Sequence, residues 1–321
     1  DSSLRGFARA ANRRAHLHSH KRHVLAGNCQ LAAMLLRREA APSTERPTVF
    51  VYPGPGSLHG GLPMALMADP AFHAAFARCD EIAEPLLGKS LFDLFEPEDH
   101  AAIGMAQPLS FALSYATTCW LSGLGVEPDA VIGHSAGEYA ALCAAGVLDL
   151  EAALTTLVAR GLAMERMPAG RMAAVFEETG TVARLAAESD VQIAAYNAER
   201  QSVVSGSAEA MERFCARLLK LGIAFKELHI GCAAHSKLME PAAPGLRRAA
   251  EELCFSPPSI PVYSSLSAEA MGSFDADYLM QQLCAPVHFH QALRRAMREG
   301  YQCFVEVGAS PVLAQSIDSA A

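Results

Sequence analysis

Ala130-Val131-Ile132-Gly133-His134-Ser135-Ala136-Gly137-Glu138-Tyr139-Ala140-Ala141-Leu142 is the stretch that decides the fold. An apolar, β-branched run breaks at a glycine, a serine sits between two glycines, and an Ala-rich helical stretch follows. This is G-x-S-x-G in a strand-turn-helix setting, where the flanking glycines permit a turn sharp enough to lift the serine hydroxyl above the edge of a sheet. The helix that follows aims its first N–H groups and positive dipole end at any oxyanion formed there. A plainer reading makes Ser135 only the cap of that helix.

Downstream, the helix runs from about Ala136 to Ala145, Gly146 offers a stop, and Asp149 is an N-cap for a second helix through Met164. Nine steps down and eleven back are about 14 and 16 Å at the helical rise. If the two helices form a hairpin, Arg160 returns level with Ser135. A guanidinium there is unneeded for a neutral ester but holds a carboxylate in a bidentate fork. The alternative places Arg160 on the surface, paired with Glu165. A serine nucleophile also needs a base. His235, in the small-residue stretch Cys232-Ala233-Ala234-His235-Ser236, is the best candidate by context, although spacing alone does not single it out. His134 should point away from its neighbour, and His288 and His290 read as packing or surface residues on one face of a strand.

Upstream, Thr48–Tyr52 reads as a buried strand entering the turn Pro53-Gly54-Pro55-Gly56-Ser57, and 108–124 as an apolar helix. Residues 171–230 give strand (172–176), helix (181–187), strands (191–196 and 202–205), helix (208–221) and strand (224–228). That βαββαβ order is ferredoxin-like. The chain then regains α/β character and ends with a strand at 303–307. The expected fold is therefore α/β: an α/β core (47–170 and 231–321), an inserted ferredoxin-like subdomain (171–230), and a small basic α/β linker in front (1–46).

The chain has 321 residues, 51% apolar and 19% charged, with a net charge of −8. Residues 1–46 carry +6 and the remainder −14, so the acidic body lacks the basic face a nucleic-acid binder needs. No apolar run approaches the roughly 20 residues of a membrane span, and no secretory signal is read at the start. Nine scattered cysteines without a CxxC pair indicate neither a disulfide framework nor a zinc knuckle. His16, His18, His20 and His23 lack the carboxylate or thiolate neighbours of a structural metal site, so no metal is expected. The expected location is the cytoplasm.

Several motifs then fall in one order: Tyr52-Pro53-Gly54-Pro55-Gly56-Ser57, Gly133-His134-Ser135-Ala136-Gly137-Glu138, Arg160 twenty-five residues after the serine, Ala234-His235-Ser236-xx-Met239, Gln282-Leu283-xx-Pro286-Val287 and Glu306-Val307-Gly308. In this, residues 48–315 resemble malonyl-CoA:acyl-carrier-protein transacylases and the acyltransferase domains of modular polyketide synthases. Residues 1–46 are similar to the ketosynthase-to-acyltransferase linker of such synthases.

The resemblance implies a hydrolase-like α/β core with the ferredoxin-like insertion, and a ping-pong acyl transfer, with no bound cofactor, from an acyl-CoA or acyl-carrier donor through acyl-Ser135 to the phosphopantetheine thiol of an acyl carrier protein. A neighbouring ketosynthase would be a further partner. His235 would be the base, Arg160 the carboxylate holder, and Gln107 and Met164 pocket residues; an Asn or Gln side chain or a nearby carbonyl would orient the histidine, and Gln282 occupies that position. Cys232 would line the pocket entrance. The oxyanion donors would be the N–H of Ala136 and of position 55. Here position 55 is proline, which has no N–H. The family often reads H-A-F-H or Y-A-S-H before the histidine, against Cys232-Ala233-Ala234-His235 here. Ala234 and Ala136 should leave room for an α-substituent on a malonyl unit. Two other readings stay open: an acyl-thioester hydrolase, and a catalytically weak acyltransferase-like scaffold for which Pro55 is the argument.

Overall fold

The computed structural model describes residues 46–321 apart from 61, 97 and 229. The expected linker at 1–46 and its histidine cluster lie, save for Arg46, outside the described residues. The compact body begins at Thr48.

The core opens with β1 (Thr48–Tyr52), followed by α1 (Pro70–Leu87, capped by Asp69) and α2 (Ile103–Gly123). Then come β2 (Ala130–Gly133), α3 (Gly137–Ala144) and α4 (Leu150–Glu165). Helix α2 starts five residues before the expected Pro108. Its N-cap is Ala102, where the backbone is extended, and Pro108 is accommodated inside the helix. Helix α3 ends before Gly146, whose φ of 70° is the left-handed turn a glycine allows. Asp149 caps α4 by accepting from the Ala152 N–H at 2.8 Å.

The insertion follows: β3 (Gly170–Val175), α5 (Thr179–Ala187), β4 (Gln192–Ala198), β5 (Gln201–Ser207), α6 (Ala208–Leu221) and β6 (Phe225–Leu228). Its strands form an antiparallel sheet in the order β4-β5-β3-β6. Because successive strand side chains point to opposite faces, β3 divides its residues between two interiors. Ala173 and Val175 pack under α5 and α6 with Val182, Leu185, Met211 and Phe214. Met172 and Ala174 join the main core.

The chain returns through α7 (Ala243–Ala250), β7 (Val262–Tyr263), β8 (Ala270–Met271), α8 (Ala276–Cys284), α9 (Phe289–Arg298), β9 (Cys303–Glu306) and α10 (Ala314–Ala320). The core sheet runs β8-β7-β2-β1-β9, parallel except for β8. This is an α/β core of hydrolase type with a ferredoxin-like insertion. One expectation fails: His288 and His290 do not share a strand. His288 precedes α9 and His290 lies in it. The decisive signal is the buried set Phe289, Ala292, Leu293 and Ala296, whose spacing is helical.

Candidate active site

The site forms where β2 stops. A Cβ on Gly133 would lie 2.1 Å from the Glu138 Cα, and one on Gly137 2.1 Å from the Tyr52 carbonyl oxygen. Both positions must be glycine for β2 to turn into α3 against β1. The turn holds Ser135 at φ 54°, a strained conformation for a residue with a side chain. Ser135 is therefore more than a helix cap: the N-cap position is Ala136, and no side-chain cap bond is made there.

The Ser135 Oγ lies 2.6 Å from the His235 Nε2. His235 is itself at φ 56° and buried. Burial, then the neighbouring charge of Arg160, then His134, push its imidazole down to about 3, against the opposing pull of the Ala285 and Gln282 carbonyls. It is thus neutral at physiological pH. With Nδ1–H donating to the Ala285 carbonyl at 3.1 Å, Nε2 is free to accept the serine proton. The expected orienting role of the Gln282 side chain is corrected. Its Nε2 donates instead to the Ser135 carbonyl at 2.8 Å, bracing the elbow. A main-chain carbonyl suffices to orient the imidazole because it carries no side-chain freedom to lose. His134 turns away as expected, its Nε2 2.8 Å from the Asn197 Oδ1 of β4.

The N–H groups of Gly137, Glu138 and Tyr139 are taken by the carbonyls of His134, Ser135 and Ala136. That leaves the Ala136 N–H as the first-turn donor without a main-chain acceptor among the described residues. Gly54 lies against the elbow, its Cβ direction 3.3 Å from the His134 carbonyl and 3.9 Å from the Ala136 nitrogen. The residue after it, Pro55, opens a short 3₁₀ turn over Pro55–Gly60 and has no N–H to offer.

Arg160 is 1% exposed, which rules out the surface pairing with Glu165. That carboxylate accepts from the Gly104 N–H at 2.8 Å instead. A Cβ on Gly161 would come within 2.8 Å of the Gly104 Cα, so α2 and α4 cross nearly backbone to backbone. One turn along α2, Gln107 thereby meets Arg160: its Oε1 accepts from Nη1 at 2.7 Å. The Gln107 amide in turn donates to the Met164 Sδ at 3.3 Å. Arg160 Nε and Nη2 are buried with no partner. An unpartnered buried donor costs about 1–3 kcal/mol, more when charged, so these nitrogens await an acceptor. Burial lowers the guanidinium's affinity for its proton, while Tyr139, Cys232, Cys284 and Glu138 oppose that shift. Cys232 and Ala234 are buried near the base.

The sequence reading overlooked several groups. Ala285 is one: a nearby carbonyl is an expected alternative to the Gln282 side chain, but no residue type encodes which carbonyl it is. Glu138 is another: fully buried, it accepts from the Ser265 N–H and hydroxyl, each at 3.0 Å, and from the Tyr278 hydroxyl. It ties the elbow helix to α8 and the strand end at β7. Among the described residues no group of three His, Cys, Asp or Glu side chains could hold a metal, and no helix is long and apolar enough to cross a membrane.

A strained serine on a hydrolase-type elbow, a neutral histidine on its hydroxyl and a buried guanidinium beside them define a serine acyl-transfer enzyme. The family model for the acyl transferase domain matches residues 49–321, and the chain belongs to that family. It is 33% identical over 273 residues to a phenolphthiocerol/phthiocerol polyketide synthase subunit of Mycobacterium tuberculosis, covering 84% of this chain and 15% of that protein. It is 31% identical over 326 residues to an erythronolide synthase of Saccharopolyspora erythraea, covering 94% of this chain and 9% of that one. The chain thus spans a small part of these multidomain relatives. Among solved structures, the acyltransferase domain from the second module of the salinomycin polyketide synthase superposes with TM-score 0.81 at 33% identity, covering 100% of this chain and 84% of that one. An acyl carrier protein S-malonyltransferase from Vibrio cholerae does so with TM-score 0.76 at 29% identity, covering 85% and 93%.

Proposed function

We propose that this acyltransferase loads a carboxylated, α-substituted malonyl-type unit from an acyl-CoA or acyl-carrier donor onto the phosphopantetheine thiol of an acyl carrier protein, in polyketide assembly beside a ketosynthase. The observation that carries the reading is the buried Arg160, fixed by Gln107 and left with two free donor nitrogens. A neutral acyl chain would leave that charge unanswered; a carboxylate answers it with two parallel hydrogen bonds.

The geometry supports the following sequence. The Ser135 Oγ attacks the thioester carbonyl as His235 Nε2 takes its proton, and the oxyanion is met by the Ala136 N–H. The C–S bond breaks, and the imidazolium returns the proton to the departing thiolate. The carrier thiol then repeats the steps on the acyl-serine, with His235 again as base, and Ser135 recovers its proton. Ala234, small and buried beside His235, supports an α-substituted unit over plain malonyl.

The test is to incubate the chain with malonyl-CoA, methylmalonyl-CoA and acetyl-CoA and follow the mass of Ser135 with and without carrier protein. Stable acylation by the carboxylated donors, methylmalonyl foremost, followed by transfer is expected, with the preference for carboxylated donors lost in Arg160→Ala. Release of free acid without carrier would identify a thioester hydrolase. Absence of any adduct would favour a scaffold, the reading that Pro55 supports. Equal occupancy by malonyl and methylmalonyl would remove the α-substituent from the proposal.

A further inference from the structure

Tyr139 lies on α3, one helical turn after Ser135, with its ring fully buried. Its hydroxyl is buried and has no hydrogen-bond partner. This is unusual, because a buried phenol ordinarily finds one. Arg160 Nε and Nη2 on α4, the helix that runs back along α3 after the turn at Gly146, also lack a partner, as do the buried hydroxyls of Thr156 on α4 and Ser110 on α2. Glu138, the residue before Tyr139, is by contrast satisfied by Ser265 and Tyr278.

We infer that the Tyr139 hydroxyl is a binding group for the acyl unit, donating to the same carboxylate that the free nitrogens of Arg160 receive. The inference rests on the carboxylated-substrate reading above. The phenol and the two Arg160 nitrogens can all donate, and a carboxylate, an acceptor-only group, has the lone pairs to take all three. A phenol donating to a carboxylate makes a short, charge-assisted bond. Burial keeps the phenol protonated and so a donor. After burial, each of the two side chains is the foremost influence on the other's proton affinity, so they lie near one another. A tyrosine here adds selectivity that a lone guanidinium lacks, since its hydroxyl stays unanswered whenever a non-carboxylated chain occupies the site.

The experiment is Tyr139→Phe, which keeps the ring and removes one oxygen, read as the ratio of kcat/KM for acylation by methylmalonyl-CoA over propionyl-CoA. The ratio is expected to fall on the order of tenfold or more, as for loss of a hydrogen bond to a charged group. An unchanged ratio in the variant overturns the inference. A second measurement needs no variant: the near-ultraviolet tyrosine difference spectrum of the wild-type chain should change on acylation by methylmalonyl-CoA and not by propionyl-CoA. Identical spectra for the two also overturn it. Arg160→Ala separates this inference from the reading beneath it. If Arg160→Ala abolishes the preference and Tyr139→Phe does not alter it, only the role of Tyr139 fails. If neither the wild type nor Arg160→Ala distinguishes the two donors, the carboxylate reading itself fails.

Discussion

Lowering the pH from 7 to 5 should weaken the fold in a way traceable to one side chain. In the native state burial pushes the His235 imidazole down to about 3, whereas in the unfolded chain it titrates near 6.5. Above 6.5 the residue is neutral in both states. As pH falls through 6.5 the unfolded chain takes up a proton that the native chain refuses, so the contribution to stability is present at high pH and is lost on the way down towards 3. At pH 5 the unfolded histidine is almost wholly protonated and the native one is not. The differential is then about 1.5 pH units at 1.36 kcal/mol each, or about 2 kcal/mol. The size depends little on the native value so long as that lies well below 5. The assay is urea unfolding of the wild type and of His235→Asn at pH 7 and 5. Other depressed groups such as His134 are common to both proteins and cancel. The wild type should lose about 2 kcal/mol more than the variant over this interval. Equal losses would refute the claim that His235 is held neutral by burial, and with it the account of how Ser135 is activated.

Pro55→Ala supplies a main-chain N–H next to Gly54. If the acyl-enzyme step lacks a second oxyanion donor, single-turnover acylation should quicken by about tenfold or more, part of the 10²–10³ that one such donor is worth; no gain would show that another amide already serves. Gly137→Ala should lower stability by about 3 kcal/mol or more, because the new methyl meets the Tyr52 carbonyl oxygen at 2.1 Å and neither backbone can yield. Thermal melting checks it, and an undiminished Tm would mean the elbow is not locked against β1.

The elbow was legible in the sequence because glycine spacing and a strand-to-helix change of period are local signals. Arg160 was reachable for a related reason: Gly146 and Asp149 punctuate the two helices, and the helical rise is fixed. The insertion was legible as an order of elements. What escaped depends on contacts far apart in the chain. The carbonyl that orients His235 comes from Ala285, fifty residues on, and any residue type could have provided it. The Gln282 amide was expected at the imidazole and is found on the Ser135 carbonyl, a distinction of a few ångströms that no motif encodes. Tyr139 was read past because a tyrosine in an apolar helix looks like core until its hydroxyl is seen to lack a partner.

The division of β3 between two interiors bears on attempts to exchange parts among such enzymes. Met172 and Ala174 are packed into the main core while Ala173 and Val175, their immediate neighbours, belong to the insertion's own. A graft that follows the sequence boundaries at 170 and 230 transplants one complete interior together with a few residues of the other, Met172 and Ala174 among them. A chimaera should therefore keep the recipient's identities at alternate positions of β3 and take the donor's at those between, so the workable seam is drawn through a strand's pleat rather than across its ends.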